Sequence, residues 1–161
     1  MTKKIAKTNA ARMLDKFNMD YTMLQYEAND GLNDGLSVAA KIGHSSGIVH
    51  KTLVTAGLSG QPYVFVIPVN AELDLKMAAK AAKEKVIDMI PSKDIFVLTG
   101  YVKGGCSPIG MKKEYPTFIS QESKDLDEII VSAGKIGTQL KLKPSDLAIM
   151  TNAQWANILA L

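Results

Sequence analysis

The segment "VHKTLVTAGLSGQPYVFVIPV", residues 49–69, carries the clearest structural signal in the chain. Residues 49–57 and 62–69 are rich in the β-branched and aromatic side chains that strands favour. Between them, "LSGQ" contains the small and polar residues typical of a turn. The segment therefore predicts a β-hairpin.

Outside this hairpin, segments typical of helices alternate with segments typical of strands. The patterns predict helices at 8–17 (with Thr8 as N-cap), 35–43, 73–85, 91–100 and 143–151, and strands at 21–26, 116–120, 128–134 and 138–142. Several strands are joined by connections too short for a parallel crossover. We therefore expect a mixed α/β fold with a mixed, mostly antiparallel sheet and helices packed around it.

Composition favours an ordinary globular protein. Of the 161 residues, 47% are hydrophobic and 22% are charged. The longest apolar run, "YVFVIPV", is far shorter than the roughly 20 residues of a membrane helix, and no apolar segment follows the basic N-terminus as in a secretory signal. The single cysteine, Cys106, excludes an internal disulfide. We therefore expect a cytoplasmic protein without a membrane partner.

The kind of basic residue is more informative than the net charge. The net charge is only +3, and Arg12 is the one arginine among 19 basic residues. Lysine binds phosphate as a point charge, whereas recognition of guanine edges usually uses arginine. A nucleic-acid partner would therefore be held mainly through its backbone. The candidates for a phosphate-facing patch are Lys112, Lys113, Lys141 and Lys143, and the alternative is a solvated lysine-rich surface.

Metal and triad chemistry receive little support. His44 and His50 do not have the spacing of a zinc site, and no metal is expected. The sequence has no G-x-S-x-G elbow, P-loop or Rossmann fingerprint.

Lys51 is the unusual residue of the hairpin. Side chains alternate along a strand, so Lys51 shares a face with the apolar Val49 and Leu53. An ammonium in such surroundings is unfavourable unless it is paired or functional. We therefore expect a buried amine that binds a ligand, or else an edge-strand lysine whose stem reaches water.

The glycine-rich stretch "GGCSPIG", residues 104–110, is the second candidate. Glycines allow backbone amides to converge on an oxygen, which can stabilise an oxyanion; the alternative is a tight surface turn. Cys106 would need a nearby base to act as a nucleophile, and no histidine is close in sequence. Ser132, in the glycine-rich turn "VSAGKIG" (131–137), is a possible hydrogen-bonding residue or part of an ordinary hairpin.

Together these segments resemble the YbaK/EbsC family of Cys-tRNA(Pro) deacylases. The similarity runs through "HKTLVTA", "VIPVNAELDLKMAAKAA", "TGYVKGGCSPIGMKK", "PTFIS" and "VSAGKIGTQLKL" and covers nearly the whole chain. It implies a single editing domain over residues 1–161, related to the domain inserted in bacterial prolyl-tRNA synthetases. It also implies a distorted, barrel-like mixed sheet surrounded by helices, and no cofactor.

The resemblance implies roles for individual residues. Lys51 and Gly104 take the catalytic positions, with the Gly104 backbone holding the aminoacyl carbonyl. The substrate-binding positions are Tyr26, Thr52, Gly105, Pro108, Ser132 and Gly134. Some relatives have an acidic residue at Gln139 and an aromatic residue near Asp34, so both pocket edges differ here. Others have an aliphatic residue at Cys106, which identifies this cysteine as a bystander.

The implied reaction removes cysteine from tRNA(Pro), with Cys-tRNA(Cys) as a second substrate. The substrate's own thiol attacks its ester carbonyl, expels the ribose oxygen and leaves a thiolactone, while Lys51 fixes the terminal phosphate or ribose. The implied partners are the aminoacyl-tRNA and, in a transient ternary complex, prolyl-tRNA synthetase. Three alternatives stay open: an Ala-tRNA(Pro) deacylase, a Cys106-dependent hydrolase of a small metabolite, and a non-catalytic tRNA- or synthetase-binding module.

Overall fold

The computed structural model describes residues 5–161, so the first residues of the basic N-terminus lie outside the described range. Five α-helices, one short 3-10 helix and eight strands follow one another along this part of the chain. Their order is α1 (Asn9–Lys16), β1 (Tyr21–Gln25), α2 (Gly35–Ile42), β2 (His50–Gly57), β3 (Pro62–Pro68), α3 (Leu75–Ala82), β4 (Ile87–Met89), α4 (Ser92–Thr99), β5 (Thr117–Ser120), the 3-10 helix (Gln121–Asp125), β6 (Ile129–Lys135), β7 (Thr138–Leu142), α5 (Pro144–Thr151) and β8 (Gln154–Ala156).

Capping residues and residues in the left-handed conformation mark the ends of several helices. The Thr8 hydroxyl accepts a hydrogen bond from the Ala11 amide, which confirms the predicted N-cap of α1. Gly43 and Gly100 end α2 and α4 in the left-handed conformation, with φ of 71° and 82°. Helix α3 is shorter than predicted because Lys83 turns left-handed at φ 58° and stops it.

The strands form two sheets. One is antiparallel in the order β1–β7–β6, and the other has the order β4–β2–β3–β5–β8. In the second sheet β2 and β3 form the predicted antiparallel hairpin, while β5 pairs parallel with both β3 and β8. The mixed α/β class and the hairpin are therefore confirmed.

The expected barrel is not closed. The two sheets are joined through an isolated bridge between Val49 and Ile130, just before β2 and within β6. Among the described residues, this bridge is the one β-pairing that links the two sheets.

The core fixes the strands that carry the predicted site. Strand β3 is buried along nearly its whole length, and Phe65 stacks on Phe118 of β5 at 5.3 Å between ring centroids. On the other sheet, Leu14 of α1 packs with Val131 and Leu140. Burial of such side chains contributes about 1.5–3 kcal/mol each, so β2 and β6 rest on rigid supports. No helix among residues 5–161 has the length and apolar character needed to cross a bilayer.

Candidate functional site

A cavity of about 570 Å³ lies between β2, the segment 26–38 and the glycine-rich loop. Twenty residues line it. Those predicted from the sequence as site residues are Tyr26, Lys51, Thr52, Gly104 and Ser132. Segments far apart in the chain therefore meet at one concave surface of the size typical for small-ligand sites.

Lys51 lies in β2 opposite Ile67 of β3. Its Nζ is 3.9 Å from a carboxylate oxygen of Glu72, whose side chain is 86% exposed. An ion pair this long and this exposed contributes at most about 1 kcal/mol. The Lys51 side chain is itself 29% exposed, which corrects the expectation of a buried amine. Its ammonium is half-buried and weakly neutralised, so it can still bind an anionic or polar ligand group.

The glycine-rich loop presents backbone to the cavity at Gly104. Gly104 has φ +85°, a conformation that glycine adopts without strain. Its amide donates to no other residue of the described chain, whereas the Gly105 amide donates to the Val102 carbonyl at 3.0 Å. The Gly104 amide is therefore the one of these two that can bind a ligand oxygen.

The other three predicted residues lie behind the cavity wall. Gly105, Pro108 and Gly134 are absent from its lining, and Pro108 borders a separate groove of about 320 Å³. A Cβ on Gly134 would stand 2.6 Å from the Tyr101 ring, so only glycine fits there. The Tyr101 hydroxyl donates to the Ile109 carbonyl at 2.6 Å, which fastens the far end of the loop. Substrate contact by these three residues stays a prediction, and what the geometry shows is the close packing of Gly134 against Tyr101.

Unpaired polar atoms concentrate at this cavity. Among the described residues, four side-chain oxygens are buried without a hydrogen-bond partner, and all four belong to residues that line it. They are Tyr26 Oη, Asn33 Oδ1, Thr52 Oγ1 and Gln139 Oε1. Leaving a buried polar group unpaired costs about 1–3 kcal/mol. The concentration of these four oxygens at one cavity indicates a wall suited to a polar ligand.

Of these four residues, Asn33 was not predicted from the sequence, and Gln139 was named only as a pocket edge that departs from the family pattern. Asn33 lies in a polar loop that reads as an ordinary turn, and its Nδ2 donates to the Ala28 carbonyl at 3.1 Å. Gln139 is on β7 opposite Ser132, and its side chain is buried beside the cavity. Asp34, the other departure from the family pattern, caps α2 by accepting from the amide and hydroxyl of Ser37. These hydrogen bonds hold the pKa of Asp34 below its usual range, so it remains a carboxylate at the cavity.

Cys106 lines the cavity but is unsuited to nucleophilic attack. The thiol is buried and its nearest polar neighbour is the Thr99 hydroxyl, 3.9 Å away. Burial raises the pKa of Cys106 to about 11, so the group is a neutral thiol at pH 7.

His50, the histidine that lines the cavity, is not free to act as a base for Cys106. Both ring nitrogens of His50 are engaged, Nδ1 with the Ile48 carbonyl and Nε2 with the Ser123 hydroxyl, each at 2.6 Å. Because a carbonyl can only accept, Nδ1 carries the proton and Ser123 donates to Nε2. Burial lowers the pKa of His50 to about 4, in keeping with a neutral ring.

Two further kinds of site, a metal centre and a phosphate-binding patch, were considered from the sequence. Within residues 5–161, no group of three or more His, Cys, Asp or Glu side chains is placed to bind a metal ion. The four lysines proposed for a phosphate-facing patch are divided between the glycine-rich region and β7 with its exit. Lys141 is 3.6 Å from Glu128, and Lys112 donates to the Val97 carbonyl at 3.4 Å.

Comparison with known proteins decides the family. Residues 35–149 match the model of the aminoacyl-tRNA editing domain. The chain belongs to the aminoacyl-tRNA editing domain family. The matched segment contains Lys51, Thr52, Gly104, Ser132 and Gln139 and leaves Tyr26 outside. The resemblance seen in the sequence motifs is thereby confirmed.

A curated relative within this family is similar over nearly its full length. It is a candidate Cys-tRNA(Pro)/Cys-tRNA(Cys) deacylase, EbsC of Enterococcus faecalis, 45% identical over 152 residues. The alignment covers 94% of this chain and 93% of the relative. The similarity therefore extends over nearly the full length of both sequences.

Solved structures share the fold of this editing domain. One, a candidate trans-editing enzyme for prolyl-tRNA synthetase, superposes with a TM-score of 0.83 at 21% identity and covers 97% of this chain and 100% of that one. A hypothetical protein superposes with a TM-score of 0.86 at 19% identity, covering 95% of this chain and 100% of that one. At such low identity the likeness is one of fold.

Proposed function

We propose that this protein is a trans-editing deacylase that removes cysteine from mischarged tRNA(Pro), and from Cys-tRNA(Cys) as a second substrate. The observation that carries the proposal is the set of unpaired polar groups around the cavity, which also contains the half-buried Lys51 and the free Gly104 amide. Family membership limits the ligand to an aminoacyl-tRNA end. The name of the curated relative supports cysteine as the amino acid.

The reaction needs a nucleophile that the chain does not supply. The Cys106 thiol is protonated and buried, and both ring nitrogens of His50, the histidine that lines the cavity, are already hydrogen-bonded. The cysteine of the substrate supplies its own: its sulfur bonds to the ester carbon, the carbon–oxygen bond to the ribose breaks, and the thiol proton passes to the departing ribose oxygen. Water then opens the resulting thiolactone to free cysteine.

The protein contributes orientation and charge stabilisation. The Gly104 amide donates to the carbonyl oxygen as negative charge develops on it. The Lys51 ammonium fixes the terminal phosphate or the ribose, so that sulfur and carbonyl are held together. Proximity of this kind can supply roughly 7–11 kcal/mol of a barrier.

Selection of the tRNA is assigned to a partner. A net charge of +3 gives weak phosphate binding, and such binding is salt-sensitive and mostly blind to sequence. We therefore place this protein in a transient ternary complex with prolyl-tRNA synthetase and the charged tRNA, in the cytoplasm where that tRNA is made.

One assay tests the proposal against its alternatives. Purified protein is incubated with Cys-tRNA(Pro), Ala-tRNA(Pro) and a thiol-alkylated Cys-tRNA(Pro). We expect rapid release of only the unblocked cysteine. Equal release of alanine would assign the protein to alanine editing, release of the alkylated cysteine would exclude the substrate-thiol route, and no release would favour a binding module.

A further inference from the structure

Lys41 of α2 forms three hydrogen bonds to the loop of residues 27–33. Its Nζ donates to the Glu27 carbonyl at 2.6 Å, to an Asp30 carboxylate oxygen at 2.8 Å and to the Leu32 carbonyl at 2.7 Å. Although the loop is mostly exposed, the Lys41 side chain is only 19% exposed. All three donors of the ammonium are therefore used inside one short segment.

That segment has few other restraints. Within the described chain, no backbone–backbone hydrogen bond outside regular elements involves residues 27–33. Their remaining bonds are local side-chain contacts, such as the Asn29 amide to the Glu27 carboxylate and the Leu32 amide to the Asp30 carboxylate. The ammonium of Lys41 is thus the principal link between this loop and a helix.

Both ends of the loop form the cavity wall. Tyr26 precedes the loop, Asn33 is its last residue and Asp34 follows it, and all three line the cavity. The Lys41 ammonium also stands 5.6 Å from the centroid of the Tyr26 ring, within range of a cation–π contact.

The wall carries polar atoms that have no partner within the described chain. They are Tyr26 Oη and Asn33 Oδ1, and both are buried. These oxygens can meet a ligand only while the segment keeps its position, and Lys41 is the group placed to hold it.

We propose that Lys41 is a positioning residue that holds the segment 26–34 as a preformed wall of the amino-acid end of the cavity. The inference rests on the proposed function for the identity of the ligand. Lys41 does not touch the reacting atoms. It keeps Tyr26 and Asn33 in place before the aminoacyl group arrives, which lowers the ordering cost of binding.

The test compares Lys41→Met, which keeps the length of the stem, with Lys41→Arg, which restores a cation with several donors. Lys7→Met is the matched control, because it removes the same charge and an ion pair with Asp15 away from the cavity. The probe is cysteinamide, which has the amino acid but no ester to cleave, and its dissociation constant is measured by titration calorimetry. Thermal unfolding and amide exchange of residues 27–33 are recorded for each variant.

We expect Lys41→Met to weaken cysteinamide binding roughly tenfold, equivalent to about 1.4 kcal/mol, and to speed exchange in the loop. In turnover with Cys-tRNA(Pro), KM should rise with little change in kcat, which is the signature of lost binding. Lys41→Arg should recover most of the affinity and Lys7→Met should retain it. If Lys41→Met does not fold, Asp30→Asn removes one loop partner from an exposed site and should weaken binding by a smaller factor.

Unchanged cysteinamide affinity in a folded Lys41→Met protein, or no binding of cysteinamide by the wild type, would overturn the inference. Equal losses in Lys41→Met and Lys7→Met would also overturn it, since charge alone would then explain them. A wild type that binds cysteinamide but does not deacylate Cys-tRNA(Pro) would instead refute the proposed function, and the binding comparison would still decide the role of Lys41.

Discussion

Two neighbouring regions of β2 treat buried polar groups in opposite ways. At His50, each ring nitrogen has a hydrogen-bond partner, and the Ser123 hydroxyl is in turn hydrogen-bonded to the Ser120 hydroxyl at 2.8 Å. At Thr52, two residues further along the strand, the hydroxyl is equally buried and has no partner within the described chain. One region is built for stability and the other for a ligand, and mutation can measure the difference.

The largest effect is expected from Lys51→Ala. Loss of the ammonium should lower the rate of Cys-tRNA(Pro) deacylation roughly 100-fold, the scale of misplacing the reacting groups, because the ester would no longer be held against the thiol. Single-turnover deacylation gives the rate, and circular dichroism checks the fold. Lys76→Ala, on the exposed surface of α3, is the control for loss of one charge. Near-normal turnover by a folded Lys51→Ala protein would remove Lys51 from the mechanism.

The next largest effect is a loss of folding stability at low pH, and it arises from His50. The folded pKa of His50, about 4, is lower than its ordinary 6.5, so the unfolded chain binds the extra proton between these values. Stability is therefore complete above about pH 6.5 and falls as the pH drops toward 4, by about 3 kcal/mol in total. Urea unfolding at a series of pH values measures it.

The matching control for this pH dependence is His50→Gln. This variant should show a smaller loss of unfolding free energy over the same pH interval, since it has no imidazole to protonate. An identical pH profile in the two proteins would mean that another group is responsible.

A pair of smaller substitutions separates the two regions directly. Ser123→Ala should reduce the free energy of unfolding by about 1–3 kcal/mol, because it leaves His50 Nε2 without its donor. Thr52→Val removes a hydroxyl that has no partner, so stability should stay the same or rise by up to about 1 kcal/mol while deacylation slows. Chemical denaturation and deacylation assays on both variants provide the measurement. A large loss of stability in Thr52→Val would show that its hydroxyl is structural after all.

The smallest effect on activity is expected from Cys106→Ala. The thiol is protonated at neutral pH and its polar neighbours, the Thr99 hydroxyl and the Ser107 carbonyl, are not bases, so deacylation should be largely unchanged. Stability should fall by about 1 kcal/mol because a buried sulfur is removed. Loss of turnover in a folded Cys106→Ala protein would restore this cysteine as a nucleophile.

Local signals in the sequence predicted local structure well. The β2–β3 hairpin, the Thr8 cap and the glycine stops of α2 and α4 were all readable, because each depends on residues close in the chain. Strands β4 and β8 were missed, since each has only three residues and is defined by its neighbours in the sheet. The parallel pairing of β5 with β3 and β8 was also missed, because such registers join distant segments.

The residues of the site also separate into those that the sequence predicted and those that it did not. Lys51 and Gly104 drew attention through residue type and local pattern, and both line the cavity. Asn33 and Lys41 gave no such signal, because "EANDGLND" reads as a polar turn and Lys41 as one more surface lysine of α2. Lys41 is distinguished by three loop oxygens that accept hydrogen bonds from its ammonium, and Asn33 by a buried oxygen without a donor. Both are properties of the folded chain.

The parallel ladder of β5 against β3 has a consequence for biosynthesis. Strand β3 is apolar, and one of its edges is covered only by β5, which emerges from the ribosome much later. Until then a hydrophobic strand edge is open to pairing with other nascent chains. We therefore expect substitutions that weaken residues 117–120 to appear as inclusion bodies during expression, whereas damage to the cavity yields abundant, inactive protein in the supernatant.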